Sequence, residues 1–352
     1  MALARPTAVI RPLPVIARVF GGGVAAAVAA AVAAVAPGIA YAHEKWFTEP
    51  GYHPSDLSLV LSERTAIALG AGVVAVVLFG LIQRLIGDAL WPRLRIFERM
   101  REGDTRLLAV QTAIALIYMA VRLALLTPHL SLPQAPLGYV LAAAQLAIAF
   151  SFITRLLDRA GAALLILVGL AVAVLFSPLD ALQLAYYGGI AILIFISGVG
   201  RTATAPQPPV RDPEWGQRAL ATLRVLSGVA FLFIALGDKI WNPDLGLAFL
   251  ERYPHFNVFQ LAGVDVPGET FALAAGVIET AAGLLLMSGF LTRVVIAVLL
   301  VPFNLTVPFL PAEEMIGHLP IFGILYVLLV HGPGRFSMPK REGSGGTGEP
   351  VP

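Results

Sequence analysis

Apolar runs of about twenty residues recur along the chain, separated by short polar stretches. They fall at roughly 65–87, 107–127, 137–156, 160–177, 183–200, 219–238, 270–288, 291–310 and 318–332. Runs of that length fit helices that cross a hydrocarbon layer about 30 Å thick. The pattern predicts an all-α, polytopic membrane helix bundle of about nine transmembrane helices.

An earlier run, "VFGGGVAAAVAAAVAAVAPGIA", is different in kind. Arg5, Arg11 and Arg18 precede it with no acid among them, and the small-x-small triplet Ala40 to Ala42 closes it. A basic region, an apolar region and A-x-A define a secretory signal, so residues 1–42 are read as a signal peptide. Cleavage after Ala42 would leave His43-Glu44-Lys45-Trp46-Phe47 as the mature start, outside the cytoplasm. The run is longer than usual for a signal, so retention as an anchor is the alternative.

Basic residues give the orientation. With residue 43 outside, Arg93, Arg95, Arg99, Arg101 and Arg106 fall on the cytoplasmic side, as do Arg155, Arg159, Arg201, Arg211, Arg218, Arg293 and Arg335. The opposite loops 128–136 and 177–182 hold no Lys or Arg. The expected arrangement is a multi-pass protein of the cell membrane, with a cytoplasmic C-terminus. Residues 336–352, rich in Gly and Pro, read as a disordered tail.

Composition sharpens this picture. Hydrophobic residues make up 58% of the 352 and charged residues only 13%, where a soluble domain carries about a quarter charged. The lipid bilayer is therefore the expected partner. Lys+Arg of 24 against Asp+Glu of 22 is too balanced for nucleic-acid binding. With no cysteine, disulfides, cysteinyl iron–sulfur clusters and covalent c-type haem are excluded.

The segments after the first form two sets of four. Residues 43–106 hold an outer segment, the first helix and a loop; 107–217 a first four-helix unit and linker; 218–335 a second four-helix unit. Both sets start after a cytoplasmic arginine ("RLLAVQTA", "RALATLRV") and close on Gly-Arg ("GVGR", "GPGR"). That is compatible with a parallel duplication, and equally with chance similarity between Ala/Leu-rich segments. Where the second set has Arg224, Lys239 and Glu279, the first has Thr112, Thr127 and Ala147. The second set is thus the chemically equipped one.

Glu279 lies about ten residues from either end of its run, roughly 15 Å deep at 1.5 Å per residue. A carboxylate there costs about 2.5–3.5 kcal/mol on insertion scales and should face the bundle interior. It could exchange protons with a bound molecule, or serve as a packing hydrogen bond between helices. Arg224, nearer the cytoplasmic side, can snorkel or reach toward Glu279. Asn304, between Pro302 and Pro308, predicts a polar notch in a broken helix facing protein or a cavity. Asp238, Lys239, Glu313, Glu314 and His318 sit near the outer interface, where solvated helix ends compete with a binding site.

"RVLSGVAFLFIALGDKIWNP", "GVIETAAGLLLMSGFLTR" and "GHLPIFGILY" together resemble the DoxX family of four-helix bacterial membrane proteins. Arg224, Gly228, Gly237, Lys239, Glu279, Gly283, Gly289 and Arg293 occupy its motif positions over residues 218–335, a third of the chain. The first helix, the first four-helix set and the signal segment lie outside that unit. The resemblance implies association with thiosulfate:quinone oxidoreduction or with redox complexes as a membrane partner. The branch serving disulfide chemistry is disfavoured by the lack of cysteine.

Of the six histidines, only His331 is expected on the inner side. None lies mid-membrane, so an intrinsic haem is not expected. His43, with a freed amine, and His53 could clamp copper or zinc; ordinary surface histidines are the alternative, since no ligand spacing appears. The long outer loop before residue 270, rich in aromatic residues, reads as a lid or as an interfacial plug.

The leading expectation is a membrane subunit of a quinone-linked redox system. Glu279 exchanges protons there, Arg224 and Asn304 set charge and orientation, and Lys239 and His318 contact the ring. The alternatives are a non-catalytic partner that anchors or matures an extracytoplasmic redox enzyme, and a metal-binding membrane protein using His43 and His53.

Overall fold

The structure is a computed structural model that describes residues 45, 56–86, 104–197, 213–261, 263–306 and 312–335. The signal peptide, His43, His53 and the C-terminal tail lie outside the described residues.

Twelve helices are present in order among them: α1 (Glu63–Ile86), α2 (Asp104–Val121), α3 (Pro136–Thr154), α4 (Asp158–Leu175), α5 (Pro178–Gln183), α6 (Ala185–Ser197), α7 (Pro213–Ala235), α8 (Pro243–Arg252), α9 (Val258–Leu261), α10 (Gly268–Ser288), α11 (Thr292–Thr306) and α12 (Ala312–His331). A π turn, Leu236–Ile240, continues α7. Local signals explain several boundaries. Pro136, Pro178 and Pro243 occupy the first turn of their helices, where a missing N–H costs nothing. Ser177 caps α5 by accepting from the Asp180 N–H. Gly289 closes α10 at φ 79°, a left-handed conformation suited to glycine.

Six helices are long and apolar enough to cross a membrane: Glu63–Ile86, Asp104–Val121, Pro136–Thr154, Asp158–Leu175, Glu214–Ile240 and Gly268–Ser288. This is a multi-pass helical membrane protein. Three more of the nine apolar runs coincide with shorter helices, Ala185–Ser197, Thr292–Val301 and Met315–His331. At the run 183–200, α5 is a separate helix that ends at Gln183, and thirteen of the described residues that follow, Ala185–Ser197, form α6.

One buried apolar cluster runs from Leu108 on α2 to Leu328 on α12 and takes in residues of both four-helix sets. α7 packs on α6 and α10, α12 packs on α2, and α1 packs on α10. α7 and α10 approach most closely at Gly228 and Gly283. A Cβ on Gly283 would lie 2.7 Å from the Leu232 nitrogen, and one on Gly228 would lie 2.7 Å from the Gly283 carbonyl oxygen. Small residues allow such backbone approach between membrane helices.

One end of the bundle carries Lys45, the 122–135 connection, α5, the π turn and α8; it is called here the Asp238 end. It is the end that the arginine pattern leads one to expect outside. The other, the Asp104 end, joins α2 to α12 through His331 and Asp104, whose side chains are in hydrogen-bond contact.

Candidate functional site

The site forms where α7 breaks its regular winding. π turns are uncommon insertions and often mark functional positions. All five residues of this one are buried. Lys239 is fully buried, and its Nζ lies 2.9 Å from Glu279 Oε2 on α10. Gly276, one turn from Glu279, makes room for this approach: a Cβ there would lie 2.9 Å from the Lys239 Cβ. The expected depth of Glu279 thus comes with a partner, and the partner is Lys239. A helix-end lysine that could have been solvated instead runs along α10 into the core.

Asp238, adjacent in the chain, faces the other way into a second buried network. Its Oδ1 lies 3.2 Å from Lys45 Nζ and accepts a 2.9 Å hydrogen bond from Gln183 Nε2. The Gln183 amide also donates to the Phe233 carbonyl, and its oxygen accepts from Lys45 at 3.1 Å. Lys45 Nζ is 3.6 Å from Asp180 Oδ1. Asp180 is held in turn by Ser177, whose hydroxyl donates to Oδ2 at 2.6 Å, and His129 Nε2 lies 3.8 Å from Oδ1. His129 Nδ1 is 3.2 Å from the Thr127 hydroxyl.

The two networks meet at the Asp238–Lys239 peptide. Together they hold two lysines, Lys45 and Lys239, against three carboxylates, Asp180, Asp238 and Glu279, so the site is formally −1 with His129 neutral. Every side chain in these ion pairs is at most 6% exposed. Buried charges persist only when paired and hydrogen-bonded, and the alternation of sign along the chain of contacts meets that demand.

Outside the spanning helices, burial dominates the titration of His129 and lowers its pKa, while the Asp180 carboxylate opposes that shift. For Asp180, burial would raise the carboxyl. The nearby His129 ring, the hydrogen bond from the Ser177 hydroxyl and the charge of Lys45 outweigh it and hold the group below the ordinary carboxylate value.

The remaining predicted site residues sit elsewhere. Arg224 does not extend toward Glu279. Its guanidinium donates to the carbonyls of Leu286, Met287 (2.6 Å) and Pro333 (2.8 Å), about two turns along α10 from Glu279. It ties α7 to the end of α10 beside Gly289. Asn304 does not line an interior notch: its side chain is exposed and donates to the Leu300 carbonyl of its own helix. His318 is buried on α12 with its ring edge-on to Phe303 at 5.8 Å, and Phe303 packs on Phe231 of α7. Asp238 and Lys239 are not solvated ends; they are 1% and 0% exposed.

Sequence reasoning missed Lys45, Gln183 and Asp180 altogether and read the first four-helix set as chemically poor. Asp180 and Gln183 share one short helix behind a Ser-x-x-Asp cap, which was the available signal. Among the described residues, no group of three or more His, Asp or Glu is placed to hold a metal ion. No family model matches the chain, and neither a curated protein nor a solved structure matches it.

Proposed function

We propose that this chain is a DoxX-like membrane subunit of a quinone-linked redox system in the bacterial inner membrane, with Lys239 and Glu279 as its proton-exchanging pair. The observation that carries the reading is the 2.9 Å Lys239–Glu279 contact, buried at a π turn within two candidate membrane spans. Such a pair shares an ammonium proton that can pass to a neighbouring oxygen. The resemblance of residues 218–335 to the DoxX family supports the same site, because Lys239 and Glu279 are two of its motif positions.

A quinone needs apolar surroundings and a hydrogen-bond donor for its carbonyl. Leu236, Ile240 and Trp241 are buried in one cluster with Leu273 and Val277 of α10 beside them; a quinone that displaces part of this packing would take Lys239 as its donor. A bound quinone would supply two-electron, two-proton chemistry, with electrons exchanged with a redox protein on the outer side. The chain's own part is to hold a proton between Lys239 and Glu279. The Asp238 network fixes the backbone that carries Lys239.

The test compares Glu279→Gln with Glu279→Leu in membranes at equal expression, following electron transfer to a soluble quinone analogue. Gln keeps size and hydrogen bonding but cannot give up a proton. The Gln variant should lose turnover by roughly 10²–10⁴-fold, the range for removal of a general base. Full activity in that variant would end the proton-exchange reading.

A second reading, a non-catalytic partner for an extracytoplasmic enzyme, is favoured by α8 and the turn after it. Phe249, Tyr253, His255 and Phe256 cluster there, with centroid separations between 4.4 and 6.1 Å, and His255 is exposed. The metal-binding reading rests on His43 and His53, and its test is the copper content of the purified protein and of His43→Ala.

A further inference from the structure

At the Asp104 end, far along the bundle from Lys239, a small pocket opens where α2, the α3–α4 turn and α6 meet. Arg106 of α2, Arg155 of the turn and Asp158 at the start of α4 line it, with the hydroxyl residues Thr105 and Ser197 and the ring of Phe152. Asp158 is 5% exposed, and its Oδ1 makes no hydrogen bond. A buried carboxylate oxygen without a donor is costly and calls for an explanation.

The turn that frames the pocket has an unusual backbone. Arg155 and Leu157 both hold left-handed conformations, φ 61° and 62°, although neither is glycine. The turn leaves Leu156 and Leu157 exposed at 55% and 76%. Phe195, on the neighbouring helix, is also exposed, with the Arg159 guanidinium over its ring at 6.0 Å. Charged groups therefore sit directly beside apolar surface, as they do where a helix bundle passes from headgroups to acyl chains.

The charge pattern narrows the ligand. A bare phosphate would suit the two arginines but leave Asp158 without a donor and repel it. A lone amine would satisfy Asp158 but be repelled by the arginines. A quaternary ammonium has no N–H to give the Oδ1 atom. We propose that the pocket binds the headgroup of a phospholipid carrying both a phosphate and a primary ammonium, as in phosphatidylethanolamine. The phosphate pairs with Arg106 and Arg155 in charge-assisted hydrogen bonds, the ammonium donates to Asp158 Oδ1, and the acyl chains run along Leu156, Leu157 and Phe195.

The test uses the full chain in nanodiscs holding equal parts of phosphatidylethanolamine, phosphatidylcholine and phosphatidylglycerol. Lipid retained after detergent extraction is then read by native mass spectrometry. The wild type should retain phosphatidylethanolamine over both others. Asp158→Asn, which preserves size, should cut that preference roughly tenfold, the worth of one charged hydrogen bond, and raise retention of phosphatidylglycerol. Arg155→Gln should lower retention of all three. Soluble glycerophosphoethanolamine should displace the lipid, whereas inorganic phosphate at equal concentration should not. A wild type with no preference, an Asp158→Asn variant that keeps it, or equal displacement by inorganic phosphate would each overturn the proposal. If Asp158→Asn does not fold, Arg106→Gln, altered at an exposed side chain, decides: unchanged phosphatidylethanolamine retention there also overturns it.

Discussion

Asp238 and Lys239 are consecutive in the chain, yet their side chains enter different ion pairs on opposite sides of α7: Asp238 meets Lys45, and Lys239 meets Glu279. The π turn that contains them makes this divergence available. A segment just beyond the predicted signal junction and the middle of α10 are thereby linked through one peptide bond.

Removing one member of the inner pair should cost far more than removing both. Lys239→Met deprives the buried Glu279 of its 2.9 Å ion pair and should destabilise the protein by about 3–5 kcal/mol. Combining it with Glu279→Leu should recover most of that loss. Thermal unfolding of the single and double variants in one detergent gives the coupling directly; additive losses would show that the two side chains do not depend on each other.

Lys45→Met tests the other network. It leaves Asp180 and Asp238 facing Gln183 without their shared cation, and a similar loss of about 3–5 kcal/mol is expected. An unchanged unfolding midpoint would mean that Lys45 does not occupy this position in the membrane.

The pH dependence follows from His129 and Asp180. Both have folded-state pKa values below their ordinary values of 6.5 and 3.8. The unfolded chain therefore binds more protons than the folded one as pH falls, and stability is lost toward acid. The His129 contribution is fully present above about pH 6.5 and fades below it; that of Asp180 fades only below about 3.8. Unfolding midpoints measured from pH 8 to pH 5 should fall in the wild type and fall less in His129→Asn.

Gly283→Val should separate α7 from α10. The new Cβ meets backbone atoms of Leu232 and Gly228 at 2.7 and 2.9 Å, and backbone yields less readily than a side-chain tip. A loss of about 1–3 kcal/mol is expected from such overpacking. Gly169→Val, whose added Cβ meets nothing within 4 Å in the interior of α4, is the matched control and should not lower the midpoint.

Arg224→Lys should weaken the protein although it conserves charge. The guanidinium reaches three carbonyls at once, and a single ammonium cannot reproduce that fork. Activity per folded molecule should remain, because Arg224 braces the far end of α10 and lies away from Glu279.

The apolar runs were legible as helices because their length and continuity are properties of the local sequence. Glu279 was legible for a similar reason: a carboxylate in the middle of such a run must find a partner. Its actual partner was ambiguous because a lysine at a helix end can turn to water or inward, and only the packing of Gly276 against the Lys239 Cβ decides. The Lys45 network was hidden by distance in the chain. Lys45 and Gln183 are 138 positions apart, and no local pattern joins a post-signal lysine to a short helix near residue 180. Asn304 misled in the opposite way, since an asparagine can satisfy its amide on its own helix, as it does at Leu300.

The π turn also sets the rotational phase of the residues that end α7. A regular helix advances about 100° per residue, so deleting a single residue between Leu236 and Ile240 would swing the next side chains by that angle. Asp238 and Lys239 could not then both keep their present headings. The apolar pattern that inserts the helix would barely change. A one-codon length difference at this turn therefore distinguishes a linked bundle from an electrically silent one, and marks where divergence between otherwise similar chains would matter most.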